Sequence, residues 1–470
     1  MELKATEKST KRYIANHLLS TTVYLLVVLA PGLVYRPYYA ILGTVVFCTI
    51  IFFAAKCYLQ AFFAVRMPPL EELPEEQLPR VSLIVPSYNE ENVLRRSLSS
   101  MLALDYPADR LEFIYVYESV CTDRTEEIIH EFAQRDPRIK PVRRITHKGG
   151  KAAATNYGLQ FATGDVIAIF DADHALDPGL VRYAVARLLK KGVGCVRGRC
   201  RTVNRTQNLV TRLVALERDA VERFYIYGAW RMGGFSTFTG GHAFFRREVF
   251  EELGLFREDI LTEDIDFAVK LHAAGYQVVV LPQIQSWEEV PTSLKALMHQ
   301  RKRWTRGWMQ IWRLHAARIL TERRAGLFKR ADICLSLTST VASGLVLAVL
   351  PLACLRFLGV ATSCFAERTA FGLWLFVTTT PAITTVWAWL LDRREKGPPP
   401  VSDLLAVPLL IPYIFFLFGV SWICFADEFL WNWPFAYVKT PRAADLPETI
   451  RDPDLCPESL TLSEPVHPSL

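Results

Sequence analysis

The sequence predicts an α/β domain with a mainly parallel sheet, inserted between transmembrane α-helices. Three observations carry that reading. Long apolar runs lie at both ends of the chain, a polar middle stretch alternates strand-like and helix-like segments, and polar clusters fall where its strands should stop. The 470 residues are 51% hydrophobic and 22% charged, and the mean hydropathy is +0.17. These values exclude a disordered chain and point to lipid as one solvent. Fifty-four Lys and Arg against 48 Asp and Glu leave a net charge of +6, too small to make nucleic acid the main partner. The ten cysteines are scattered, with no CxxC pair, and read as reduced, structural thiols.

In chain order, apolar runs at residues 14–35 and 39–65 each approach the roughly 20 residues that cross a bilayer. The first is too long for a signal-peptide core, and a second run follows at once. Three more runs cover 333–355, 370–391 and 404–425. Residues 1–66 are thus expected to hold two spans, 67–290 a cytoplasmic α/β domain, 291–330 amphipathic interfacial helices, 331–426 about three further spans and 427–470 a polar tail. Lys4, Lys8, Lys11 and Arg12 before the first span, and Arg393, Arg394 and Lys396 between the fourth and fifth, put the central domain on the cytoplasmic side. Five full spans would leave the tail outside, made acidic by Asp427, Glu428, Asp445, Asp452, Asp454 and Glu458. A re-entrant or interfacial fifth segment would bring it back.

Within the domain, residues 81–86 form a continuous apolar run that stops at a polar cluster, as a buried strand does. A helix follows with Val93, Leu94, Leu98, Met101 and Leu102 on one face. Strands are expected at 111–117, 166–170, 193–196 and 277–281, and helices at 125–133 and 178–189. Ligands of such sheets gather at the carboxyl ends of the strands. The clusters at residues 87–91, 118–119 and 171–173 lie there.

Four short segments could carry chemistry. Asp171-Ala172-Asp173 puts two carboxylates one residue apart at a strand end, within reach of one hard divalent cation. A turn that needs Asp is the plain alternative. Lys148-Gly149-Gly150-Lys151 opens a helix containing Asn156, so glycines let backbone approach a phosphate and Lys151 supplies charge; an ordinary Gly-rich turn would look the same. Thr262-Glu263-Asp264 opens a helix that stops at Gly275. Thr262 could cap it and the acids complement its dipole without any further role. Gln300-Arg301-Lys302-Arg303-Trp304 lies on a basic, Trp-rich amphipathic helix expected at the cytoplasmic leaflet.

Together, and in chain order, these segments and the polar ends of the first two strands resemble the membrane-embedded, processive branch of glycosyltransferase family 2, which includes cellulose, chitin and hyaluronan synthases. The resemblance runs over residues 81–330. It rests on Pro86-Ser87-Tyr88-Asn89-Glu90, Glu118, Lys151, Asp171-Ala172-Asp173, Thr262-Glu263-Asp264 and Gln300 to Trp304. It implies a GT-A-type, Rossmann-like domain that moves a sugar from a UDP-sugar to a glycan or lipid acceptor with inversion. Tyr88, Glu90 and Glu118 would hold uracil and ribose, and Lys151 the diphosphate. Asp171 would support the nucleotide and, with Asp173, bind Mg²⁺ or Mn²⁺. Asp264 would be the general base, Gln300 and Arg303 would close on the diphosphate, and Trp304 would stack on the acceptor sugar. One departure is that the family's Asp-Asp pair after the second strand is replaced by Tyr117-Glu118, with an extra residue before Thr122. Tyr437-Val438-Lys439-Thr440 is similar to a cytoplasmic tail element of the family.

The expected product is a β-linked polysaccharide extended at the plasma membrane by a multi-pass protein, with membrane lipids as neighbours and secretion through its own spans. Two rivals stand beside it. One is single-sugar transfer to a polyprenyl phosphate or a glycolipid; the other is a non-catalytic transport or scaffold protein. The near absence of charge within the spans argues against transport.

Overall fold

The computed structural model describes residues 2–434, apart from 147, 347–348, 360–366 and 396–397. Two long apolar helices, α1 (Glu2–Leu29) and α3 (Pro37–Phe63), are joined through the single turn α2 (Pro31–Val34). Among the described residues, three segments are long and apolar enough to cross a membrane: Thr10–Val34, Pro37–Phe63 and Val401–Leu430. The expected runs at 333–355 and 370–391 are helical, as α13 (Leu327–Leu345), α14 (Val349–Phe357) and α15 (Glu367–Asp392).

Between them lies an eight-stranded sheet. Its strands are β1 (Val81–Ser87), β2 (Leu111–Glu118), β3 (Ile139–Arg144), β4 (Val166–Phe170), β5 (Ala175–Leu176), β6 (Val193–Thr202), β7 (His242–Arg246) and β8 (Gln277–Glu288). The spatial order is β3-β2-β1-β4-β7-β6-β8-β5. Pairs β3-β2, β2-β1, β1-β4 and β6-β8 are parallel, whereas β7 runs antiparallel to both β4 and β6. Helices cover both faces: α4 (Glu91–Leu102), α5 (Thr125–Arg135), α6 (Gly150–Leu159), α7 (Leu180–Leu188), α8 (Leu209–Ala220), α9 (Ala229–Arg231), α10 (Arg247–Leu253), α11 (Glu263–Ala273) and α12 (Leu294–His315). On one face, Leu83, Val85, Phe113, Tyr115 and Phe170 pack under Leu94, Leu98 and Met101 of α4. On the other, Ile84, Ile114 and Ile169 meet Ala152 and Ala154 of α6. Burying one such Leu, Ile or Phe contributes roughly 1.5–3 kcal/mol, and β1, β2 and β4 read as uninterrupted apolar runs because both their faces are covered.

The strands at 193–196 and 277–281 extend further than their apolar residues foretell. β6 continues because Arg197, Arg199 and Arg201 are buried in ion pairs: Arg197 with Glu222 at 2.7 Å, Arg199 with Asp392 at 2.5 Å and Asp219 at 3.2 Å, and Arg201 with Glu395 at 2.9 Å. The pairs with Asp392 and Glu395 tie the sheet to the end of α15 and the residues just after it, and those with Asp219 and Glu222 tie it to the end of α8 and the turn that follows. The expected near absence of charge in the spans also has an exception, since Lys56 of α3 pairs with Asp332 of α13 at 2.6 Å.

The last apolar segment comprises a 3₁₀ stretch (Val401–Leu409), α16 (Leu410–Phe425) and a π-helical turn (Ala426–Leu430). It touches the α/β domain in two places. Tyr413 Oη donates to Glu217 of α8 at 2.5 Å, and Asp427 pairs with Lys302 of α12 at 3.1 Å. By length and composition this segment could also cross a membrane. Asp427 and Glu428, where the polar, acidic tail was expected to begin, are both buried. Tyr437 to Thr440, Asp445, Asp452, Asp454 and Glu458 lie outside the described residues.

Candidate active site

The parallel register sets Ser87 opposite Tyr117 and Ile84 opposite Ile169, so the segments after β1, β2 and β4 emerge on one rim. After β1 the backbone turns at Asn89, whose φ of +52° is left-handed. Asn89 Oδ1 accepts from the Thr122 amide at 2.8 Å, and the Glu90 amide donates to Thr125 Oγ1 at 2.8 Å. The two loops expected to hold a nucleoside are thereby stitched together, with the Tyr88 ring exposed beside them. Glu118 is buried and paired with Arg144 of β3 at 2.5 Å. That partner was not legible, since β3 is a polar edge strand.

Lys151 sits in the first turn of α6. The turn before it needs a left-handed Gly149, at φ +86°, where a Cβ would also lie 2.8 Å from Glu258 Oε2. Lys151 Nζ is in ion-pair contact with Asp171. Across from it, Gly240 donates its amide to Asp264 Oδ2 at 3.0 Å, and the Asp171 amide donates to the Gly241 carbonyl at 3.4 Å. A Cβ on Gly240 would lie 3.1 Å from Lys151 Nζ and 3.2 Å from Glu263 Oε1, and one on Gly241 would overlap Asp171. The Gly240-Gly241 pair is therefore the bridge between the two acidic motifs: a side chain at 241 would collide with Asp171, and one at 240 would crowd Lys151 and Glu263.

Thr262 occupies the N-cap position of α11, but its side chain makes no capping hydrogen bond, which corrects the capping expectation. It is buried against Gly307 of α12, where a Cβ would overlap the Thr262 side chain. Asp264 caps instead, with Oδ1 accepting from the Ile265 amide at 2.9 Å.

Enclosure and the charge of Asp264 push Glu263 up to about 7, and burial also raises Asp264. Burial pulls the opposing Lys151 down, but Asp171 and Glu263 outweigh it and hold the ammonium above its ordinary value. The acid pair titrates as a unit. Between pH 4.5, the ordinary glutamate value, and about 7 the folded chain keeps a proton that the unfolded chain has released, so this pair's contribution to stability falls as pH rises through that window. Turnover that needs the ionised pair should rise through an acid limb near pH 7. Glu263→Gln removes the like charge, so the limb should move to lower pH; a limb that stays in place would show that the two acids do not share their proton.

α12 carries Gln300, Arg303 and Trp304. The Arg303 guanidinium exerts its charge on Glu263 and Asp264, and Gln310 Oε1 accepts from the Leu261 amide at 3.2 Å. Gln300 Oε1 is buried with no hydrogen-bond partner among the described residues. Trp304 is half-buried with Arg301 over its ring at 4.7 Å. Much of the basic face that composition assigns to lipid headgroups is instead paired within the chain, Arg301 with Glu217 at 2.6 Å and Lys302, Arg306 and Arg313 with acids after α16.

Ligand atoms of Asp171, Asp173, His174 and Glu288 all lie within 4.8 Å of one another. Burial holds His174 down to about 4, so its ring is neutral at pH 7. Three carboxylates with one neutral imidazole suit a hard cation such as Mg²⁺ or Mn²⁺. The sequence reading missed His174 and Glu288. His174 directly follows Asp173, but Glu288 joins only because β8 runs seven residues past the expected stop at 281.

A family model described as "Glycosyltransferase like family 2" matches residues 79–307. A β-monoglucosyldiacylglycerol synthase from Synechocystis is 32% identical over 240 residues, 50% of this chain and 50% of its own. A poly-β-1,6-N-acetyl-D-glucosamine synthase from Staphylococcus epidermidis is 27% identical over 256 residues, 53% of this chain and 61% of its own. The chain spans about half the length of the first curated relatives it matches. Among solved structures, a mannosyltransferase from Pyrobaculum calidifontis in complex with GDP-Man and Mn²⁺ superposes with a TM-score of 0.51 at 22% identity, covering 84% of this chain and 99% of its own. That likeness is one of fold, the GT-A type.

Proposed function

We propose that the chain, whose residues 79–307 match the glycosyltransferase-like family 2 model, transfers a hexose from a nucleotide sugar to an acceptor hydroxyl at a membrane, with inversion, and extends a β-linked polysaccharide. The observation that carries this reading is the Gly240-Gly241 bridge, which brings Asp264 and Asp171 to one crevice with Lys151 and the charge of Arg303.

In that crevice Asp264 removes the acceptor proton as its oxygen attacks the anomeric carbon. A general base contributes about 10²–10⁴ in rate. Lys151 and Arg303 stabilise the charge that develops on the departing diphosphate. Asp171, Asp173, His174 and Glu288 would hold a divalent cation, which supplies Lewis-acid stabilisation of the same diphosphate. Tyr88 and Glu90 receive the nucleoside, Glu118 supports it while paired to Arg144, and Trp304 offers a flat face to the acceptor sugar. The apolar helices keep the catalytic unit at the bilayer, consistent with a multi-pass membrane protein.

A second reading is transfer of one sugar to a lipid. The Synechocystis relative, whose product is a glucosyldiacylglycerol, favours it. Membranes carrying the full chain should be given radiolabelled UDP-glucose, UDP-N-acetylglucosamine and GDP-mannose, and the products sized. A ladder sensitive to a glycanase is the expected result. A single glycolipid would select the second reading, and no transfer from any of the three donors would overturn both.

A further inference from the structure

The partners of α12 give its neighbours a role that its motif residues do not reveal. Lys302, Arg306 and Arg313 lie four and seven positions apart, which aligns them along one side of the helix. All three meet two consecutive carboxylates in the π-helical turn that ends the last apolar segment. Lys302 Nζ lies 3.1 Å from Asp427, Arg306 Nη2 3.1 Å from Glu428, and Arg313 Nη1 3.1 Å from the other oxygen of Glu428. Arg306 also donates to the Trp433 carbonyl at 2.8 Å. Asp427 is shared with the first apolar helix, receiving Tyr13 Oη at 3.1 Å and facing His17 Nε2 at 3.0 Å. Tyr13 Oη also meets Lys302 Nζ at 2.7 Å.

Another side of α12 faces α11 and the Thr262 that precedes it. Gly307 lies against Thr262, Gln310 takes the Leu261 amide, and His315 Nε2 is 2.7 Å from Asp266. The helix that bears Gln300, Arg303 and Trp304 is therefore held from two sides, and the carboxylate side is made of residues from the two ends of the chain. Two buried carboxylates meeting three cations allow few rotations of α12 about its axis. π-helical turns are uncommon and recur at functional sites; this one presents Asp427 and Glu428 toward the same helix.

We propose that Asp427 and Glu428 are positioning residues for glycosyl transfer: they fix the rotation of α12 and so hold Arg303 against the diphosphate position beside Glu263 and Asp264. The inference rests on the glycosyltransferase reading above. Catalytic groups must be held to within about half an ångström to act, so a released α12 loses transition-state contact before it loses its fold.

The test is a double-mutant cycle in the full chain, using whichever of the three labelled donors the wild type turns over. Glu428→Gln is expected to lower kcat by about tenfold or more, with donor KM changed by less than about threefold. In an Arg303→Ala background the same substitution should lower kcat by less than about twofold further, because the residue it positions is gone. Asp427→Asn should follow the same pattern. Arg313→Met, which takes one exposed cation from Glu428, should give a smaller loss of the same kind; if Glu428→Gln yields no folded protein, these two variants carry the test. A kcat within about twofold of wild type in the folded variants, or losses that multiply fully with Arg303→Ala, would overturn the positioning role and leave the enzymatic reading intact. A wild type that turns over none of the donors would overturn both.

Discussion

Asp264→Asn is expected to reduce glycosyl transfer by about 10²–10⁴-fold, the range for losing a general base, while donor binding stays close to wild type. The asparagine keeps the size of the side chain, and its amide oxygen can keep one of the two backbone amides, Gly240 at 3.0 Å on Oδ2 or Ile265 at 2.9 Å on Oδ1, and gives up the other. What it loses is basicity. Donor affinity measured by calorimetry with the product nucleotide should therefore persist as turnover collapses. Removing a charge next to Glu263 should also let that acid ionise at lower pH, so the variant should lose the acid limb near pH 7 in whatever slow turnover remains. An Asp264→Asn enzyme with near-normal kcat would remove Asp264 from the base role.

Asp173→Ala should be the other severe lesion. The side chain is fully buried, and its carboxylate belongs to the set with Asp171, His174 and Glu288. Without it a cation would keep two carboxylates and one imidazole from the chain, and Lys151 competes for one of those carboxylates by pairing with Asp171. We expect activity to fall by at least about 10³-fold, the order expected when several kcal/mol of Lewis-acid stabilisation is lost. Mn²⁺ should no longer bind in a paramagnetic-resonance titration of the purified chain. A variant that stays active in EDTA would contradict the metal assignment.

How much of this was legible depended on how each strand was buried. β1, β2 and β4 announce themselves because both faces are apolar, and each ends where a polar cluster begins, so the rim could be drawn before any coordinates. Only the first half of β6 was legible, because its continuation carries Arg197, Arg199 and Arg201, which are buried only through acids up to two hundred residues away in the chain. β7 was not foreseen; it follows the glycines at 240–241, which are the bridge between the acidic motifs. The Thr262 cap was a sound local inference, but packing against Gly307 displaced it and Asp264 took the role. The basic side of α12 misled in a similar way. Cations beside tryptophans suit a lipid surface, and nothing local announces that Asp427 and Glu428, more than a hundred positions later, will meet them.

The arginine-bearing strand also decides what could be excised. A fragment stopping at residue 330 would keep Arg199, Arg201 and Arg205 but lose Asp392, Glu395 and Asp403, which now answer them at 2.5, 2.9 and 3.1 Å. Leu213, Val214 and Leu216 of α8, now under Ala406, Val407 and Leu410, would be uncovered along the same edge. The water-soluble piece that a domain diagram invites would thus expose a greasy, cationic flank, inclined to aggregate or to collect polyanions. Its catalytic half and its hydrophobic half are better regarded as one folding unit that happens to straddle two solvents.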